Sequence, residues 1–174
     1  MNTANKLTLL RVVMIPVFMA ALYLNFPFHR IVALIVFILA CITDFIDGYI
    51  ARHFNQVSDF GKFMDPLADK LLVISAMLYF AESGQMKAWA VLIVLAREFA
   101  VSGLRMVAAP KGVVIAAAWS GKVKTAATMV CICIMLVPIP QVLNAICVGV
   151  ILLTTVVSGV EYFVKNRKVF SDAV

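Results

Sequence analysis

Charged side chains are scarce in this sequence. Only 14% of its 174 residues are Asp, Glu, Lys or Arg, where a soluble domain carries about a quarter. With 64% of residues hydrophobic and a mean hydropathy of +1.03, an ordinary water-soluble globule is excluded. Cysteine is scarce too. Cys41, Cys131, Cys133 and Cys147 lie in apolar runs without ligating neighbours, which excludes a disulfide framework and a thiolate metal site. The two histidines, His29 and His53, stand apart from each other and are assigned no role. There is no internal repeat and no low-complexity tract. No convincing small-residue cleavage site follows the first apolar stretch, which Arg11 interrupts. An uncleaved first helix with a short interfacial lead-in is therefore expected, not a signal peptide.

What is present is a polytopic membrane pattern. Six apolar stretches run over about 8–27, 31–53, 62–81, 86–107, 120–137 and 141–164, and each reads as helix because irregular backbone cannot span lipid. The breaks NFPFHR (25–30), RHFNQVSDFG (52–61), ESGQ (82–85), AAPKG (108–112) and PIPQ (138–141) carry Pro, Gly and short polar residues, as turns do. The expected fold is all-α: a polytopic bundle of six transmembrane helices with a short N-terminal interfacial segment, one domain over 1–174. The second stretch is distinctive. Its charge-free part, 31–43, is shorter than the ~20 residues a span needs. The helix must continue through Asp44 and Asp47, so its far end is expected to line a polar cavity.

Basic residues set the orientation. With the N-terminus in the cytoplasm, thirteen of the fifteen Lys and Arg fall at cytoplasmic helix ends, Arg11, Arg52, Arg97, Arg105, Lys122 and Lys124 among them. Only Arg30 and Lys87 fall outside. This positive-inside asymmetry places both termini in the cytoplasm of a multi-pass cell-membrane protein. The net charge of +6 suits an anionic leaflet or phosphate-bearing substrates. Nucleic acid is not an expected partner of so apolar a chain.

Five aspartates lie within TDFIDGYIARHFNQVSDFGKFMDPLAD, and four of them, Asp44, Asp47, Asp65 and Asp69, pair at helical spacing within the apolar pattern. A single Asp at a helix centre costs roughly 2.5–3.5 kcal/mol on the translocon scale, so the cluster needs something to offset it. Asp44 and Asp47 are three apart, and Asp65 and Asp69 four apart, so each pair shares a helix face. The short loop between the two helices makes them an antiparallel hairpin that can bring the faces together. Converging carboxylates suit hard cations such as Mg²⁺ or Mn²⁺, and two metals could clamp both oxygens of a phosphoryl displacement. Gly48 and Gly61 would let a bulky group approach the backbone, and Arg52 can bind phosphate through its planar fork.

Asp44, Asp47, Gly48, Ala51, Arg52, Gly61, Asp65 and Asp69 form the pattern D-x₂-D-G-x₂-A-R-x₈-G-x₃-D-x₃-D. This resembles the signature of the CDP-alcohol phosphotransferases at every defined position, and six helices with both ends inside is similar to that family's architecture. The resemblance implies transfer of a CDP-linked group onto an alcohol, with CMP leaving. It also implies that Asp44, Asp47, Asp65 and Asp69 hold a metal pair, and that Asp69 doubles as the general base. Gly48, Ala51, Arg52, Gly61 and Asp65 would border the CDP moiety, and a homodimer is the family's usual assembly.

NKLTLLR (5–11), AREFAVSGLR (96–105) and WSGKVKTAAT (119–128) resemble the bacterial branch that uses CDP-diacylglycerol and sn-glycerol 3-phosphate. An acceptor bearing a phosphate dianion needs cationic donors, and Arg97, Arg105, Lys111, Lys122 and Lys124 are the candidates. Arg97 and Arg105, eight apart, lie roughly on one helix face, two turns apart. Glu98 could instead pair locally with Arg97. Two other readings stay open. One is the same chemistry on inositol phosphate, serine or phosphatidylglycerol. The other is a divalent-cation transporter, because acidic residues within spans can mark ion pathways.

Overall fold

Apolar stretches bounded by Pro and Gly fold as the hydrogen-bonding rule for lipid requires: every described element is a helix. The computed structural model describes residues 3–24, 26–53, 59–108, 115 and 118–167. In chain order the helices are α1 (Thr3–Tyr23), α2 (His29–His53), α3 (Asp59–Glu82), α4 (Ala88–Ala108), α5 (Trp119–Leu136) and α6 (Gln141–Lys165). The lead-in residues 5–11 form the first turns of α1, continuous with the span. The turn after α3 places Gly84 at φ +76°, a conformation glycine adopts without steric cost.

Among the described residues four helices are long and apolar enough to cross a membrane: Lys6–Tyr23, His29–Ile46, Trp119–Leu136 and Gln141–Lys165. Within α3 and α4 lie Asp65, Asp69, Lys70, Arg97, Glu98 and Arg105, and these charges separate the two helices from the other four. Large apolar side chains face outward along the helices, Phe99 at 67% exposure and Leu92 at 64% among them. Water would penalise such a surface; hydrocarbon does not.

The chain divides into two compact units, one of residues 1–80 and 133–138, the other of residues 81–132 and 139–174. In the first, α1 packs along α2. Ala33, Phe37 and Ala40 make a fully buried stripe on α2, and the two alanines let the helix backbones approach closely. Phe18 of α1 meets Phe37 with ring centroids 5.7 Å apart. The buried stripe of α1 holds Thr8 and Arg11 as well as Phe18, Ala21 and Leu22. In the second unit α4 packs against α6. Val94, Val101, Leu104 and Ala108 on α4 and Ile151, Thr155, Ser158, Gly159 and Tyr162 on α6 recur at helical spacing, so each helix buries one stripe.

Candidate active site

Within the first unit, one turn of α1 reaches carboxylates on two different helices. Thr8 Oγ1 donates to Asp65 Oδ1 on α3 at 2.5 Å. Three residues on, Arg11 Nη1 lies 3.0 Å from Asp44 Oδ1 on α2. Residues three apart share a helix face, so Asp44 and Asp65 meet the same side of α1. Asp44 of α2 and Asp65 of α3 are thus linked through their shared neighbour α1. The Arg11 side chain is 0% exposed and that of Asp44 is 37% exposed. The cation is thus sealed inside while the carboxylate keeps an open side. Asp65 and Asp69 are half-buried on α3, with Pro66 between them. Its ring and missing N–H interrupt the helix ladder next to the carboxylates. Gly48 lies half-buried on α2. The side chains of Asp47, Ala51 and Arg52, the surroundings of Gly61, and Lys111 lie outside the described residues.

Among the described residues no three His, Cys, Asp or Glu side chains gather to hold a metal ion. The donor chemistry nevertheless fits a divalent cation. Asp44, Asp65 and Asp69 are oxygen donors of the kind Mg²⁺ and Mn²⁺ prefer. None is fully buried; Asp65 has one oxygen hydrogen-bonded to Thr8 and Asp44 one oxygen in an ion pair with Arg11, outer contacts of the kind ligating carboxylates commonly have.

The second unit gathers cations around Glu98. Arg97 Nη1 lies 2.9 Å from Glu98 Oε1, and Lys124 Nζ of α5 lies 2.7 Å from the same oxygen. All three side chains are mostly buried. Two cations on one carboxylate leave a net positive charge in a low-dielectric setting, where it acts strongly on an anion. Arg97 Nε is buried without a hydrogen-bond partner among the described residues. Gly159 makes room for this side chain. A Cβ at Gly159 would stand 3.3 Å from Arg97 Cγ, and one at Gly121 would stand 3.6 Å from Arg97 Nη2. Arg105 takes a separate partner: its Nε donates to Tyr162 Oη at 2.7 Å, with the guanidinium 5.5 Å from the ring centroid. Lys122 is exposed and borders an apolar groove of about 610 Å³ with Trp119, Val123, Val130 and Val150.

Of the cations expected to serve together, the structure joins Arg97 and Lys124, and it gives Arg105 and Lys122 different surroundings. The local Arg97–Glu98 pair is present, but Lys124 shares it. Thr8 and Arg11 fall within NKLTLLR and Gly121 within WSGKVKTAAT, segments that stand out in the sequence without giving these residues individual roles, and Gly159 and Tyr162 carry no signal there. The structure adds the full burial of Arg11 against Asp44. The available signal was a lone charge in LTLLRVVMIP, since burying one is costly without a partner.

These features define a helical membrane protein with a carboxylate group in one unit and a buried cationic group in the other. The chain belongs to the CDP-alcohol phosphatidyltransferase family, whose family model matches residues 1–160. A Bacillus subtilis relative named CDP-diacylglycerol–glycerol-3-phosphate 3-phosphatidyltransferase is 42% identical, covering 95% of this chain and 95% of its own. A Mycobacterium tuberculosis relative, named a probable phosphatidylglycerophosphate synthase, is 41% identical over 94% of this chain and 81% of its own. A Rickettsia bellii protein with the Bacillus relative's name is 38% identical over 97% of each chain.

Proposed function

We infer that this protein transfers the phosphatidyl group of CDP-diacylglycerol to sn-glycerol 3-phosphate, giving phosphatidylglycerophosphate and CMP. The observation that carries the reading is the meeting of Asp44 and Asp65 on one turn of α1. It occurs in a chain that has all eight motif positions and relatives named for this reaction.

Asp69 is the general base. It takes the proton from the acceptor hydroxyl while that oxygen forms its bond to the β-phosphorus; the bond to the CMP oxygen breaks, and CMP leaves with the electron pair. Asp44, Asp47, Asp65 and Asp69 would hold two divalent ions, Mg²⁺ or Mn²⁺, which when bound neutralise the diphosphate. Gly48, Ala51, Arg52, Gly61 and Asp65 border the CDP moiety. Arg97 and Lys124, with Arg105, Lys111 and Lys122, receive the phosphate of the acceptor. The buried Arg97 Nε and the positive charge left over around Glu98 support that role. The two units serve as one phosphotransferase domain over 1–174. It sits in the cell membrane with both termini cytoplasmic and acts as a homodimer, its lipid substrate entering sideways from the bilayer.

The test is CMP release by the purified protein in detergent, given CDP-diacylglycerol, Mg²⁺ or Mn²⁺, and each acceptor in turn. Release that depends on glycerol 3-phosphate supports the reading. Release with serine, inositol phosphate or phosphatidylglycerol keeps the site and changes the acceptor. No release, together with metal flux in liposomes, replaces the enzyme with a transporter.

A further inference from the structure

We propose that Thr8 and Arg11 are positioning residues of the metal site, each fixing one oxygen of a carboxylate so that the other is available to the cation. The proposal rests on the reading of Asp44 and Asp65 as metal ligands. Neither residue belongs to the aspartate motif.

Arg11 is 0% and Thr8 1% exposed, on a helix otherwise clothed in exposed Leu9, Leu10, Val13 and Val17. A cation that anchors a helix to headgroups extends to the membrane surface; one sealed at 0% exposure does not. An isolated buried Arg in a span is costly, so its place depends on Asp44. A buried threonine hydroxyl could bond back to its own helix carbonyls, as Thr43 does to Ala40 at 2.7 Å. Thr8 instead donates across 57 residues of chain to Asp65.

The two contacts are complementary. Both engage Oδ1; one is a neutral donor and the other a cation. Three residues apart, they make one helix turn a template that sets the orientation of two carboxylates from two other helices. A carboxylate with one oxygen held has fewer orientations to lose when a metal takes the second, and so binds at lower entropic cost. Arg11 also offsets one negative charge while the site is empty of cation, easing repulsion between the aspartates.

The experiment is Mn²⁺ binding to the full-length protein in detergent, read by the loss of the free-ion electron paramagnetic resonance signal. It compares the parent protein with Thr8→Val, Thr8→Ser, Arg11→Lys and Asp65→Asn. Thr8→Val keeps the volume and removes the donor, and weakens Mn²⁺ binding roughly 10–100-fold; Thr8→Ser restores it. A purely structural Thr8 would lower the melting temperature and leave Mn²⁺ affinity unchanged, and that result overturns the proposal. Arg11→Lys keeps the charge but loses the fork, and weakens binding less than Asp65→Asn. Where the Arg11 variant fails to fold, the two Thr8 variants decide. Failure of the parent protein to bind Mn²⁺ overturns the metal reading itself. Equal binding by parent and Thr8→Val overturns only the positioning role.

Discussion

Lys124 and Glu98 join α5 to α4 through a 2.7 Å contact between Nζ and Oε1, on the oxygen that Arg97 also approaches. Lys124 is 5% exposed, so this is a buried cation that shares its partner with Arg97. Glu98→Gln removes the countercharge of two cations together. Breaking a buried pair on one side costs about 3–5 kcal/mol, and the variant should melt at a clearly lower temperature. Glycerol 3-phosphate should recover part of the loss by supplying the missing negative charge. Thermal unfolding in detergent with and without the phosphate compound checks both effects.

Gly159 is small because Arg97 crosses it. An added methyl would stand 3.3 Å from Arg97 Cγ, so Gly159→Ala must shift the guanidinium by tenths of an ångström. The expected result is a raised KM for glycerol 3-phosphate, by about tenfold for a loss of 1.4 kcal/mol, with the KM for CDP-diacylglycerol unchanged. Steady-state kinetics against each substrate separates the two.

Tyr162 orients Arg105 through a hydrogen bond and through its ring. Tyr162→Phe removes only the first. A hydrogen bond involving a charged group contributes about 1.5–3 kcal/mol, so the KM for glycerol 3-phosphate should rise while the fold persists. Arg105→Lys loses the planar fork as well and should cost more. Acceptor titrations of the two variants, with melting curves beside them, check the order.

Much of this was legible in the sequence, because breaks and charges report locally. The interruptions at 25–30, 82–85 and 138–141 match the gaps between Tyr23 and His29, Glu82 and Ala88, and Leu136 and Gln141. Each carries Pro or Gly, which end helices by their own backbone chemistry. The lead-in was harder to delimit: nothing in TANKL stops a helix, and α1 extends back to Thr3. The aspartate pairs could be placed on helix faces because spacings of three and four fix a face. Thr8–Asp65 and Arg105–Tyr162 are each separated by 57 residues, and no periodicity links residues so far apart. Gly159 acquires meaning only once Arg97 lies over it.

Asp69 carries the chemistry, and its loss should be felt in rate more than in stability. Asp69→Asn keeps size and polarity, and removing a general base costs about 10²–10⁴-fold. CMP release should fall by that factor while the melting temperature moves little. Chelation with EDTA should abolish the same release, and added Mg²⁺ or Mn²⁺ should return it to the parent protein but not to the variant.

The most direct test of the account is the fate of isotopically labelled glycerol 3-phosphate incubated with the purified protein, CDP-diacylglycerol and Mg²⁺ or Mn²⁺. Label is expected to pass into the organic-soluble lipid fraction as phosphatidylglycerophosphate, in equal amount to the CMP released, and Asp69→Asn to suppress both. CMP release with the label left in the aqueous phase would contradict it, as would no turnover from a protein shown to be folded.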